Sequence, residues 1–473
     1  MAPCWVMPSS ALKAGARSST ISKTGRHFSS THSHRAKRAV ALLPSYLSDA
    51  RAVVKYSPST PDGALQLGVA ENQMLEDLLM PATKKFCNAT AFTEDCIYYQ
   101  PTSGRPEVRD AFCNYLQRLL KLPESLDRDG LIMGAGCNAV LENLCITLAS
   151  PGEGVLVPTP YYAAFEFDLV ARAGLSIIPV NALGQSGHGV AKETTISREA
   201  YYPSKASLTK SLADAKQEGE SPRILLLSHP NNPLGISYPQ SVIRDCIDWC
   251  RENKIHLVSD EIYAGSIYRS NDFTSALKLV GPGKLGPYIH FVYALSKDFA
   301  LSGLRVGACY SENLDIRMAL QKLNDLCQIS SQTQKFIEAM VMETTEDGEF
   351  WTTSFLKENN SRIRARCDAV QSLLSEYEIP FLPADSGLFI WIDLSRYLPR
   401  IESNESEEDL ACMERRERVL YLELMNEWGL LFTPGLSMRH DQPGFFRCVF
   451  TAATEVEFHL ALKRLRNFAE SKK

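Results

Sequence analysis

Chemistry enters this sequence at the ends of short apolar runs. Phe291-Val-Tyr-Ala-Leu-Ser296-Lys297 is a β-prone stretch that stops at a serine and a lysine, and a glycine-containing loop then brings up Arg305. A lysine just past a buried strand is costly unless it is solvated, paired or chemically used, and a desolvated lysine is the usual partner of an aldehyde in a Schiff base. Other runs end in the same manner. Leu131-Ile-Met133 leads to Gly134-Ala-Gly136-Cys137-Asn138-Ala139, and Val155-Leu-Val157 leads to Pro158-Thr-Pro-Tyr-Tyr162. Ile224–Leu227 leads to Asn231-Asn232, and Leu257-Val258 leads to Ser259-Asp260-Glu-Ile-Tyr263.

A glycine turn opening a helix favours an anion, because free N–H groups and the helix dipole point at it. With a stacking aromatic, a carboxylate, hydroxyl donors and an amine, the set contains the parts needed to hold pyridoxal phosphate. In that reading Lys297 binds the aldehyde, and Asp260 keeps the pyridine nitrogen protonated so that the ring accepts electrons. Asn232 and Tyr263 reach the 3-oxygen, Tyr162 stacks on the ring, and Cys137, Asn138, Ser296 and Arg305 take the phosphate. Arg447, in Phe446-Arg-Cys-Val-Phe450, grips a substrate carboxylate as a bidentate fork. Each residue alone has an ordinary structural explanation: a strand-end charge pair, a turn asparagine between prolines, a packed tyrosine. Their joint arrival at strand ends does not.

The elements that must position them follow from the alternation of short continuous apolar strands with helices. That alternation predicts an α/β fold, with a mostly parallel sheet buried on both faces by helices and its ligands beyond the carboxyl ends of the strands. After about residue 330 the pattern changes to long helices and a few strands, including Gly387–Ile392 and Phe446–Phe450, which reads as a smaller α+β domain. The expected division is a basic, disordered extension over 1–48, a segment 49–72 associated with the small domain, a large domain over 73–329 and the small domain over 330–473. The polar stretch between Ile178 and about residue 222 carries little signal for order, and Glu402 to Asp409 reads as a solvated acidic loop.

Composition narrows the class. With 473 residues, 45% hydrophobic and 22% charged, the chain is long enough for more than one domain with a large core. A net charge of −5 gives no reason to expect nucleic acid, and no apolar run reaches the length of a membrane span. The 13 cysteines lack a Cys-x-x-Cys pair, and Cys246 and Cys250 fall on one helix face as packing residues, not metal ligands. Residues 1–48 hold Lys13, Arg17, Lys23, Arg26, Arg35, Lys37 and Arg38 with no acid, a composition shared by mitochondrial transit peptides and by disordered basic tails. A cytoplasmic protein, or a mitochondrial one if that segment is a transit peptide, is the corresponding expectation. Gly134-x-Gly136-x-x-Ala139 also matches a dinucleotide fingerprint, but it lies deep in the chain and lacks the ribose-binding acid at the next strand end, which disfavours a nicotinamide-dependent dehydrogenase.

As a set, Gly68-Val-Ala-Glu71-Asn-Gln73, Pro158-Thr-Pro-Tyr-Tyr162, Asn231-Asn-Pro-Leu-Gly235, Ser259-Asp-Glu-Ile-Tyr263, Ser296-Lys-Asp298, Leu301-Ser-Gly-Leu-Arg-Val-Gly307 and Thr433-Pro-Gly435 with Arg447 resemble the class I/II aminotransferase superfamily of fold-type I enzymes. Within it the likeness is to 1-aminocyclopropane-1-carboxylate (ACC) synthases and their fungal-type homologues. The resemblance implies a homodimer with shared active sites, into which loop 98–104 of the partner reaches. It also implies substrate-binding roles for Glu71 and for the position of Thr102. Two departures stand out: Thr102 replaces the tyrosine that those synthases carry, and Ala294 replaces a phosphate-binding serine. The reaction implied is transamination of an α-amino acid or amine-bearing metabolite. A carbon–sulfur lyase or other eliminating enzyme of secondary metabolism follows it, and an ACC synthase-like lyase comes third.

Overall fold

A computed structural model describes residues 44–89, 93–182, 195–269, 273–401 and 409–472, together with residues 33, 39, 42 and 406. Most of the basic extension, residues 183–194 of the polar stretch and most of the acidic run lie outside the described residues. The strands are β1 (Leu65–Gln66), β2 (Leu131–Gly134), β3 (Gly154–Pro158), β4 (Ser176–Val180), β5 (Pro222–Ser228), β6 (His256–Asp260) and β7 (Ile289–Ala294). They continue as β8 (Gly307–Ser311), β9 (Phe381–Leu382), β10 (Ile390–Asp393), β11 (Leu430–Leu431), β12 (Thr433–Pro434) and β13 (Phe445–Cys448).

The large sheet has seven strands in the order β2-β8-β7-β6-β5-β3-β4. Only β8 runs antiparallel to its neighbours, pairing Gly307 with both Ala294 and Gly134. Successive residues of β5 feed opposite layers: Ile224 and Leu226 pack into one core, Leu225 and Leu227 into the other. That is the period-2 geometry of a strand covered on both faces, so both sets are apolar. Each fully buried Leu or Ile contributes about 1.5–3 kcal/mol. The covering helices show the complementary period. In Gln240–Asn253 the buried residues are Ile243, Cys246, Ile247, Trp249 and Cys250, so both cysteines are packing residues, and Lys254 ends the helix in a left-handed turn.

The second sheet, β12-β13-β10-β9, is antiparallel throughout. The long helices Trp351–Glu376, Leu410–Asn426 and Glu455–Ser471 belong to this part of the chain. The apolar run Gly387–Ile392 pairs only from Ile390, because Gly387 takes a positive φ of 74° and bends the chain first. The N-terminal segment joins this unit: β1 pairs parallel with β11, Arg418 grips Asp49, and Tyr421 donates to the carbonyl of Tyr46.

Two expectations are corrected. The stretch before residue 222 contains the helix Lys205–Gln217, started by a capping box between Ser204 and Ser207. Its buried face is Ser207, Leu208, Leu212 and Ala215, too thin an apolar stripe to stand out among lysines and aspartate. The extension does not stop cleanly at residue 48 either, since the helix Ser45–Ala52 begins inside it.

Candidate active site

The carboxyl ends of β2, β3, β5, β6 and β7 lie on one edge of the large sheet, and a cavity of about 300 Å³ opens there. Lys297, Asp260, Asn232, Tyr263, Tyr162, Cys137, Asn138, Ser296, Arg305 and Arg447 all line it. Lys297 stands in the single turn Leu295–Asp298 that follows β7, and its Nζ donates to the carbonyl of Ala70 at 2.5 Å. Burial, and then the charge of Arg447, pull its pKa down to about 8. The next residue fixes this turn. Asp298 is buried and accepts from the Gly265 amide (2.7 Å), Ser266 Oγ (2.7 Å) and Tyr293 Oη (2.8 Å).

Asp260 ends β6 with its side chain in the cavity wall, and burial pushes its carboxyl up to about 7. The Ile262 amide donates to Oδ1 at 3.3 Å, and the Cys137 thiol approaches the same oxygen at 3.8 Å. A buried carboxylate with so little compensation suits a cationic or protonated ligand group. Tyr263 is buried edge-on to Phe389, with centroids 5.4 Å apart.

Opposite, the helix Cys137–Leu148 opens with Gly136 at φ 91°, and no side chain caps it. A Cβ on Gly136 would fall 2.3 Å from the Arg305 guanidinium, and one on Gly307 would fall 2.6 Å from the Gly136 backbone. Two glycines therefore let the turn, the β8 start and Arg305 close on one another. Arg305 itself holds φ 54°, an uncommon conformation that aims it at this turn. Asn138 donates to Asp168 at 2.7 Å, and burial raises Asp168 to about 6. Ser296 Oγ is buried in the cavity wall without a hydrogen-bond partner. An orphaned hydroxyl, an uncapped helix start and a guanidinium fit a phosphate, and Asp260 with Lys297 fits the ring and aldehyde of pyridoxal phosphate. Gly136→Ala is expected to weaken the cofactor's dissociation constant at least about tenfold while the fold persists, measured by fluorescence titration.

Arg447, on β13, is fully buried. Nη1 donates to Asn232 Oδ1 at 2.8 Å, and Nη2 to the Gly68 carbonyl at 2.6 Å and Thr433 Oγ1 at 3.2 Å. Its Nε has no partner, and its guanidinium lies 5.4 Å from the centre of the Phe389 ring. These hydrogen bonds go to neutral acceptors, so a buried cation faces the cavity with room for an anion.

Two residues singled out in the sequence are not in the cavity wall. Glu71 is exposed and accepts from Ser302 Oγ at 3.4 Å, although its charge still offsets part of the burial of Lys297. Thr102 lies outside the cavity of a single chain, its carbonyl accepting from Asn324 Nδ2. Two cavity residues escape the sequence reading: Asp168 sits inside a helix with no strand-end signal, and Tyr46 belongs to the stretch assigned to the tail.

A family model for aminotransferase class I and II matches residues 64–465. 1-aminocyclopropane-1-carboxylate synthase 11 of Arabidopsis thaliana is 31% identical over 420 residues, covering 86% of this chain and 85% of the relative. 1-aminocyclopropane-1-carboxylate synthase 5 of Oryza sativa subsp. japonica is 31% identical over 428 residues, covering 88% and 75%. Among solved structures, a single mutant of the Thermus thermophilus aspartate aminotransferase superposes with a TM-score of 0.68 at 19% identity, covering 92% of this chain and 99% of that one. The aromatic aminotransferase of Pyrococcus horikoshii gives 0.69 at 17% identity, covering 92% and 99%. The matched span carries the cavity residues from Gly68 to Arg447, and the chain belongs to the class I and II aminotransferase family, whose members depend on pyridoxal phosphate.

Proposed function

We propose that the protein transaminates an α-amino acid. The observation that carries the reading is the pairing of a buried amine with a buried guanidinium free of carboxylate hydrogen bonds, Lys297 and Arg447, across one cavity. Arg447 holds the substrate carboxylate and so fixes Cα over Lys297. Lys297, with a pKa near 8, carries a proton away from Cα and returns it at another atom, as a general base must near neutral pH. Asp260 holds the ring nitrogen in its protonated state, Tyr263 and Asn232 orient the ring, and Ser296, Arg305 and the Cys137-Asn138 turn anchor the phosphate. Pyridoxal phosphate supplies the electron sink for the pair released at Cα.

A second reading, an ACC synthase-like eliminating lyase, is favoured by the 31% identity to the plant synthases. Against it stands Thr102, where those synthases carry a phenol. We also propose a homodimer. Ile97, Tyr98, Tyr99, Met318 and Leu326 are exposed, and Asn324 ties the 98–104 loop to the turn that carries Leu326. A division into a large domain and a smaller one, with the N-terminal segment on the smaller, is supported by the β1–β11 pairing. No helix among the described residues is long and apolar enough to cross a membrane. The composition of residues 1–48 is the reason to compare cytoplasmic and mitochondrial fractions.

The deciding experiment follows the visible spectrum of the cofactor-loaded protein through a panel of amino acids, with product analysis. Conversion of the cofactor to its amine form, reversed only by a keto acid, is the expected result. Persistence of the original band while ammonia, a thiol or a cyclised product accumulates would replace transamination by elimination.

A further inference from the structure

We propose that Asn72 and Asn359 form a hydrogen-bonded strut that positions Lys297 for its proton transfer at Cα. The proposal rests on the reading of Lys297 as the base, and it holds whether the reaction ends in transamination or in elimination. Asn359 lies in the helix Trp351–Glu376, on the face that buries Phe355, Leu356, Ile363 and Cys367. It is fully buried at a position where that stripe calls for an apolar residue, and asparagine is a poor helix former. Its side chain is occupied at both ends. Nδ2 donates to the Asp298 carbonyl at 3.1 Å, and Oδ1 accepts from Asn72 Nδ2 at 2.9 Å.

Asn72 belongs to the same stretch after β1 that offers the Ala70 carbonyl to the Lys297 amine. Its Oδ1 accepts from the Met74 amide at 3.0 Å. Thr451 holds the residues on either side: its Oγ1 donates to the Glu71 carbonyl at 2.6 Å, and its own carbonyl accepts from the Gln73 amide at 2.9 Å. The bonds close a ring. It runs from Lys297 Nζ to Ala70, along the backbone to Asn72, across Asn359 to Asp298, and through one peptide back to Lys297. Gly265, Ser266 and Tyr293 grip the carboxylate of Asp298, whereas the strut grips its carbonyl from the other part of the chain. One pair of asparagines thereby ties the backbone of the lysine to the acceptor of its amine. Misplacing a group that must meet a reacting atom by about an ångström costs on the order of a hundredfold in rate.

The test uses the full-length, cofactor-loaded protein and the amino acid it turns over fastest. Borohydride must first label Lys297 in the parent, and deuterium at Cα must slow its single turnover; failure of either overturns the functional reading itself. Stopped-flow single turnovers then compare Asn72→Ala, Asn359→Ala and the double variant. Each single variant is expected to lose the Cα proton about ten- to a hundredfold more slowly, with the cofactor's dissociation constant within about threefold of the parent's. The double variant is expected to match Asn359→Ala within about threefold, because the two residues act as one unit. Thr209→Val removes the acceptor of Trp249 Nε1 (3.0 Å) outside the cavity wall, and is expected to lower stability without slowing proton transfer. Asn72→Ala removes a single cross-link, so its rate decides the matter even if Asn359→Ala does not fold. Parent-like rates in the single variants, losses that multiply in the double variant, or an equal loss in Thr209→Val would overturn the proposal.

Discussion

Lys297→Ala is expected to abolish the borohydride-reducible bond between protein and cofactor and to lower turnover at least about a thousandfold, while the variant still binds the cofactor's phosphate. The amine is the group in the cavity placed both to carry the aldehyde and to move a proton at Cα, so no neighbour substitutes for it. The loss has a stability counterpart in the cofactor-free protein. Burial and Arg447 depress the lysine from 10.5 to about 8, so the folded chain gives up the proton before the unfolded chain does. Below pH 8 both states carry the charge and the buried ammonium costs about 3 kcal/mol; above 10.5 neither carries it. The parent should therefore gain stability relative to Lys297→Ala as pH rises between those values, which denaturant titrations at several pH values measure. A variant still labelled at residue 297 by borohydride and cofactor is impossible, so label at any other lysine would remove Lys297 from its role.

Arg447→Ala carries the second largest expected effect. Its guanidinium is buried against Asn232, Gly68 and Thr433, all neutral acceptors, and a substrate carboxylate is the anion that would complete it. Truncating one side of such a buried charged pair costs about 2–5 kcal/mol, so KM for carboxylate substrates should rise roughly thirtyfold to several thousandfold. Amine substrates without a carboxylate should be far less affected. The same substitution removes a positive neighbour from Lys297, and the lysine pKa should move upward, visible as an upward shift of the acidic limb of the pH–rate profile. An unchanged KM would mean that the substrate is held elsewhere.

The strand-end chemistry was legible in the sequence because each functional side chain directly follows an apolar run, and the parallel sheet brings those ends to one edge. Lys297, Asp260 and the Gly136 turn are local features in that sense. What escaped lacks such a local signature. Tyr46 sits on a short helix with no buried residue of its own, held by Arg418, which bonds to Asp49, and by Tyr421, which donates to the Tyr46 carbonyl, from a helix about 370 residues away. Asp168 is half-buried by its neighbours, which composition around it does not reveal. Lys205–Gln217 is mostly polar because only one narrow stripe meets the sheet. The placement of Thr102 depends on a partner chain in the resemblance that suggested it, and a single chain leaves it outside the cavity.

The pairing of β1 with β11, and of Gly68 with Arg447 and Thr433, has a consequence for how the enzyme comes into being. The phosphate turn, Asp260, Lys297 and Arg305 are all synthesised before residue 306, whereas the substrate grip waits for residue 447. At translation rates of about 5–20 residues per second, that interval is roughly 7 to 28 seconds. On the proposed assignment, a nascent chain holds the cofactor residues well before the residue that would hold a substrate carboxylate. Until the last strands emerge, the N-terminal segment has no β-partner and its short edge is open to wrong pairings. On the proposed assignment the site is closed by the strands made last, β11 to β13, and not by the strands that meet the cofactor.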